Sequence, residues 1–239
     1  MAKKSSRRSP KGSKKVATNK KNNRTIFWIA IGLGVALIIA LAAIGYASSQ
    51  KNKSPAAAAA IDASVGQPVH RTTIGDPNAP VLVETYEDFL CPHCADFTFE
   101  SGPALLDLVR EGKVRWEYKY RVIGGSDSLT ANMAAECAAD QGEFWEYHEQ
   151  LFRRIDENGK VAVFPNSLKK LAADLGLDTE QFNQCLDSKQ HLGEIQKIDQ
   201  AAAARGVNGT PTIFINGQRY DGSRSPEAIK AAIEAAAQQ

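Results

Sequence analysis

The sequence predicts an α/β domain on a mixed sheet, with a helical block inserted into it and one transmembrane helix ahead of it. Three observations carry that reading. A strand, a helix and a second strand follow one another with short links between residues 81 and 122. A run from about 126 to 205 is helix-like throughout, and two short strands and a helix close the chain after it. Ile26–Ala47 is almost wholly apolar, within a stretch from Thr25 to Gln50 that carries no charge.

Residues 1–24 hold ten Lys or Arg and no acid, and form a basic tail. The apolar run that follows, Ile26–Ala47, spans ~33 Å as a helix, enough to cross a bilayer core of about 30 Å. Trp28 and Tyr46 stand near its two ends, where amphipathic rings favour the membrane interface. A cleaved signal peptide also begins with basic residues, but its apolar region usually runs about 7–15 residues, shorter than this one. The expectation is an uncleaved anchor over 25–47 that lies in the lipid bilayer of the cell membrane. The positive charges before it keep the N-terminus cytoplasmic and place everything after Ala47 outside. Residues 48–67, "SSQKNKSPAAAAAIDASVGQ", are small, polar and alanine-rich, and read as a linker.

The body runs from 68 to 239. "VHRTT" reads as a short edge strand and "IGDPNAP" as turn chemistry. "VLVETY" (Val81–Tyr86) is short, β-branched and apolar, a buried strand. "CPHCADFTFESGPALLDLVREG" reads as a helix: Pro92 suits its first turn, Gly112 stops it, and Gly102-Pro103 kinks or briefly breaks it. "VRWEYKYRV" (Val114–Val122) alternates as a strand parallel to the first. In the helical block, Asp178 with Gln181 resembles a capping arrangement. "TPTIFINGQRYDG" places two strands around Asn216-Gly217, a type I′ hairpin signal. Ser225 as N-cap and Pro226 after it open the last helix. The hairpin makes the sheet mixed, and helices are expected on both faces.

Charge narrows the function. Net charge is +2 over the chain, but residues 61–239 carry 17 basic and 27 acidic side chains, a net charge of −10. An acidic body argues against nucleic-acid binding, which needs a cationic face. Outside the cytoplasm disulfides persist, so the four cysteines read as two pairs, Cys91 with Cys94 and Cys137 with Cys185. A Cys137–Cys185 bond would be structural; the other reading is two buried free thiols packed as small apolar groups.

"CPHC" sits where a buried strand ends and a helix begins. Unpaired N–H groups at a helix start favour a thiolate at Cys91, and His93 adds to this if it is protonated or donates a hydrogen bond. A lower pKa makes that sulfur a better leaving group, and Cys94, one turn further in, is close enough to attack it and resolve a mixed disulfide. These are the parts of a dithiol catalyst.

The Cys91-Pro92-His93-Cys94 motif after a strand, the element order and "GTPT" (Gly209–Thr212) before the hairpin together resemble the DsbA family of thiol:disulfide oxidoreductases, which have a thioredoxin-like fold with an inserted helical domain. The resemblance covers about Pro68 to the C-terminus, and the anchor is similar to that of membrane-tethered bacterial members. It implies an oxidising character, with Cys91, His93 and Cys94 catalytic and no cofactor required. It implies a cis-proline at Pro211 that leaves Thr210 to align an extended substrate segment; read alone, Thr-Pro simply suits an edge-strand start. It implies reduced or unfolded secreted proteins as substrates and a DsbB-like or VKOR-like membrane protein as reoxidase. The family commonly carries an acid six residues before the first cysteine as a proton acceptor. Here that position is Thr85. The candidate acceptors are Glu84, one place earlier, which needs a register change to face the site because neighbouring strand residues point to opposite faces, and Glu87 or Asp88, unless these are plain solvated loop acids.

A zinc site is not expected: Cys137 and Cys185 are single and distant, and His70, His148 and His191 are scattered. "FWEYHEQLF" (Phe144–Phe152) reads as core, with His148 packed or on the surface, and no phosphate-binding loop is present. The expected function is an extracytoplasmic, membrane-tethered dithiol oxidase that donates the Cys91–Cys94 disulfide. The alternatives are a reductase or isomerase on the same fold, and a tethered binding or chaperone module whose disulfides are all structural.

Overall fold

The computed structural model describes residues 69–158 and 163–238. The tail (1–24), anchor (25–47) and linker (48–67) lie outside the described residues. Among the described residues no helix is long and apolar enough to cross a membrane.

Six strands form one sheet in the order β1-β2-β4-β3-β5-β6. Its centre is β3 (Val81–Glu87), buried along almost its whole length, as its β-branched, apolar run requires. It pairs parallel with β4 (Val114–Tyr120), Val81 opposite Val114 and Glu87 opposite Tyr120. On its other side β3 pairs antiparallel with β5 (Thr212–Ile215), which turns into β6 (Gln218–Tyr220). Asn216 and Gly217 both take positive φ, 47° and 78°, as a type I′ turn demands. The Asn216 carboxamide oxygen accepts from Leu82 N–H at 2.8 Å and ties the turn to β3.

The edge differs from the expected single strand. It is a miniature hairpin, β1 (Val69–His70) and β2 (Thr73–Ile74), with β2 antiparallel to β4. Arg71 takes a positive φ of 52° at its turn. Its guanidinium pairs with Glu136 and Asp140 in the helical block, contacts the local sequence does not announce.

Between β3 and β4 the expected interruption is complete. α1 (Pro92–Glu100) ends at Ser101, and α2 (Gly102–Arg110) begins there, with Pro103 in a first turn that needs no N–H from it. The helical block is α3 (Ser126–Ala139), α4 (Phe144–Asn158), α5 (Pro165–Asp174), α6 (Thr179–Asp187) and α7 (Leu192–Ala204). The Asp178 carboxylate caps α6 by accepting from Glu180 and Gln181 N–H, at 3.0 and 3.1 Å. α8 (Pro226–Ala236) closes the chain, with Ser225 Oγ accepting from Ala228 N–H at 3.3 Å.

Aromatic packing joins the block to the sheet. Tyr118 of β4 and Phe89 stack at 5.4 Å, and Phe144, His148 and Phe152 of α4 close around them. His148 is therefore core, and burial lowers its pKa to about 3, so it is a neutral ring at physiological pH. At the far side, the Asp199 carboxylate of α7 accepts from Val122 N–H at 2.8 Å and pairs with Arg121.

Within the block, Cys137 of α3 and Cys185 of α6 form a disulfide that closes 48 positions of sequence. Loop-closure entropy puts its contribution at ~4 kcal/mol. A Cys137→Ser/Cys185→Ser chain is expected to unfold at lower denaturant with that loss. A change below about 1 kcal/mol would show that the bond does not restrain the unfolded chain.

Candidate active site

Cys91 is the N-cap of α1, in extended backbone (φ −90°, ψ 114°), with Pro92 opening the first turn. Its carbonyl accepts from Cys94 N–H at 3.0 Å and Ala95 N–H at 3.2 Å. The strand-to-helix junction is pinned by Asp88, whose carboxylate accepts from Leu90 N–H at 2.8 Å and from Ile123 N–H at 2.6 Å. Asp88 is thus a buried loop anchor with its oxygens engaged, and neither a free proton acceptor nor the solvated acid of the alternative reading.

The two thiols are unbonded and differently placed. Cys91 keeps 5% exposure and Cys94 none. The Cys91 thiol lies 3.4 Å from the Thr210 carbonyl, and the Thr210-Pro211 peptide is cis. A hydrogen bond from the Cys94 thiol lowers the Cys91 pKa, against burial; the Thr210 side chain and the Cys94 and His93 backbone N–H groups lower it further, to about 5. Cys94 moves the opposite way: burial pushes its thiol well up, and the Cys91 hydrogen bond and the charges of Glu87 and Cys91 add to that. An ionised sulfur that keeps a little exposure, above a protonated and fully buried one, is what directional exchange requires.

His93 acts differently from the expected imidazole. Its side chain is 74% exposed with Nδ1 3.5 Å from the Asp96 carboxylate, and what reaches the Cys91 sulfur is its backbone N–H. The helix start supplies that donor whatever the side chain.

The three candidate acids separate cleanly. Glu84 is held by Arg205 Nη1 at 2.8 and 2.9 Å, and that guanidinium also lies 3.7 Å over the Phe214 ring. Glu87 is fully buried, and among the described residues neither carboxylate oxygen has a hydrogen-bond partner. Burial raises its pKa to about 8, the negative charge of Cys91 adds to this, and the Thr85 and Thr98 hydroxyls offset only part. Glu87 lies two residues beyond Thr85 on β3 and so on the same face, which alternation alone could have shown. Thr85 itself accepts from the Trp116 indole N–H at 2.9 Å.

Sequence reasoning did not find Thr98. One turn past Cys94, it lines a cavity of about 170 Å³ with Phe99, Trp116, Trp145 and His148. Its i+4 spacing from Cys94 was the available signal. The histidine reading also needs correcting at one point: His191 is not scattered but packed beside the Cys137–Cys185 bond, their donor atoms all within 4.8 Å of one another.

Residues 67–235 match a family model described as thioredoxin. The chain is 35% identical over 165 residues to the Na(+)/H(+) antiporter NhaA 3 of Salinispora tropica, across 68% of this chain and 24% of that protein. It thus spans about a quarter of the length of the antiporters it matches. It is 28% identical over 173 residues to disulfide bond formation protein D of Bacillus subtilis, across 71% of this chain and 76% of that one. Among solved structures, oxidised BdbD from Bacillus subtilis superposes with a TM-score of 0.65 at 25% identity, covering 72% of this chain and 97% of that chain. Reduced DsbA from Mycobacterium tuberculosis gives 0.57 at 31% identity, covering 70% and 89%.

Proposed function

The chain belongs to the thioredoxin family as a DsbA-like thiol:disulfide oxidoreductase, and from that premise we propose that it is a dithiol oxidase, tethered outside the cytoplasm by its 25–47 segment, that donates the Cys91–Cys94 disulfide to reduced proteins. The observation that carries the reading is the placement of the two sulfurs. Cys91 stands at a helix N-cap against the Thr210 carbonyl, and Cys94 is sealed one turn below.

A substrate thiolate attacks Cys91 of the oxidised enzyme, forming a mixed disulfide and expelling Cys94 as a thiolate. Its low-dielectric surroundings disfavour that charge, and Glu87, protonated below about pH 8, is the neighbouring group that supplies a proton. A second substrate thiolate then attacks the substrate sulfur of the mixed disulfide. Cys91 leaves readily because its own pKa is low, and the substrate departs oxidised while the enzyme is reduced. A stabilised Cys91 thiolate favours the reduced enzyme, which is the thermodynamic meaning of an oxidant. Thr210 and Pro211 border Cys91 and align the substrate backbone. Reoxidation falls to a DsbB-like or VKOR-like membrane partner. The module with only structural disulfides is disfavoured because Cys91 and Cys94 are free thiols while Cys137 and Cys185 are bonded.

Equilibration in glutathione buffers of graded potential, with alkylatable cysteines counted by mass, tests the reading. The Cys91–Cys94 pair is expected to remain dithiol until the buffer is strongly oxidising. A pair that opens only under strongly reducing conditions would make the enzyme a reductant and overturn the oxidase assignment.

A further inference from the structure

The helical block holds a second cluster of donor groups, remote in sequence from Cys91 and unused by the exchange chemistry. The Cys137–Cys185 disulfide is buried, with Cα atoms 5.8 Å apart, and His191 is packed against it with donor atoms within 4.8 Å of both sulfurs. Asp140, the C-cap of α3, completes the group. Its Oδ2 lies 2.7 Å from His191 Nε2 and 3.7 Å from Cys185 Sγ. A disulfide that only restrains the chain needs no imidazole and carboxylate turned toward it.

We propose that when the Cys137–Cys185 bond is reduced, the two thiolates, His191 Nε2 and Asp140 Oδ2 form a tetrahedral zinc site. Two sulfurs, one imidazole and one carboxylate are a donor set suited to Zn²⁺. The groups behind the donors are those a metal site needs. The Arg71 guanidinium donates to the other Asp140 oxygen, Oδ1, at 2.9 Å, and offsets the net negative charge of a site with three anionic ligands. The Glu194 carboxylate stands 3.9 Å from His191 Nδ1, on the far side of the ring from the donors, and the Gln190 amide donates to Asp140 Oδ2 at 3.2 Å. Cys137 and Asp140 share one helix face at i,i+3 spacing, and Cys185 and His191 arrive from α6 and the start of α7. The metal would tie the start of α7 to α3 and α6, the two helices that the disulfide joins.

The chemistry balances. A dithiol reductant passes two electrons to the Cys137–Cys185 bond and becomes its own disulfide, leaving two thiols. Zn²⁺ then displaces both thiol protons to solvent, with His191 binding as neutral imidazole. Oxidation expels the metal, because disulfide sulfur is a poor ligand. The site is therefore gated by redox state.

The test uses the full chain carrying Cys91→Ser and Cys94→Ser, so that neither active-site sulfur can bind metal and the outcome is independent of the exchange reaction. The protein is reduced with a phosphine and dialysed against Zn²⁺ alone, with bound metal and folding followed together. One zinc per reduced chain and none per oxidised chain is expected, together with a higher melting midpoint on zinc addition. His191→Ala should weaken binding roughly tenfold or more. A reduced, folded chain that takes up no zinc overturns the proposal. So does equal uptake by the oxidised chain, and so does a chain that unfolds on reduction and is not refolded by the metal.

Discussion

Replacing Cys91 with serine is expected to abolish disulfide exchange, while replacing Cys94 with serine leaves a chain that captures substrate and does not release it. The asymmetry follows from where the sulfurs lie. Cys91 alone retains exposure and has the low pKa of an attackable leaving group, so without it no mixed disulfide forms. Cys94 has no exposure and is the internal nucleophile that frees a stalled complex, so its loss lets the covalent adduct accumulate. Mass spectrometry after mixing with a peptide that carries a disulfide reads both outcomes: the Cys91 thiolate attacks one peptide sulfur, the other leaves as a thiolate, and without Cys94 the adduct stays on Cys91. An adduct on Cys94 in the Cys91→Ser chain would reverse the assignment of roles. The same geometry sets a pH dependence. Alkylation of Cys91 should rise through a midpoint near pH 5, not the thiol's ordinary 9.0. Because the folded-state pKa is depressed, the reduced chain gains stability as pH rises above about 5 and loses it as pH falls through that value.

Glu87→Gln is expected to make the protein more stable and a slower catalyst. A carboxyl whose folded pKa exceeds its unfolded value favours folding as the neutral acid. Its contribution is fully present below about pH 4.5 and is lost as pH rises through about 8. Burial, the largest cause of the shift, persists in either redox state. Glutamine removes the penalty: the gain should be near zero at pH 4, about 3 kcal/mol at pH 7 and at most about 5 kcal/mol above pH 8. Denaturant midpoints across that range check it, and a pH-independent difference would show that folding does not shift the carboxyl's pKa. The kinetic cost is expected to be about 100-fold or more in the step that moves the Cys94 proton. In the resolving direction wild type should speed up through about pH 8 as Glu87 becomes a base, and the variant should lack that inflection.

Much of the site was readable because its signals are local. Cys91 to Cys94 share one helical turn, Pro92 marks the helix start, and Asn216-Gly217 carries its own turn geometry. The acids were harder. Glu84, Glu87 and Asp88 differ by a few positions in the chain, yet one is clamped by Arg205 and another anchors two backbone segments. The third is buried with no hydrogen-bond partner among the described residues. Alternation gives the faces of a strand but not the depth of each face, and depth comes from the helices laid over it. At His93 the residue type pointed to the imidazole, while the group that reaches the Cys91 sulfur is the backbone N–H, with the side chain exposed beside Asp96.

The sequence by itself determined the order of elements, the parallel pair around a helix that starts at a dithiol, and the closing hairpin, because propensity, turn chemistry and capping act within a few residues. Only the tertiary structure decided which carboxyl lies beneath the cysteines, that Thr210 presents its carbonyl to Cys91, and that His191 and Asp140 surround the second cysteine pair. Each of these depends on the desolvation or juxtaposition of groups far apart along the chain, and both quantities arise from packing against partners that no local window contains.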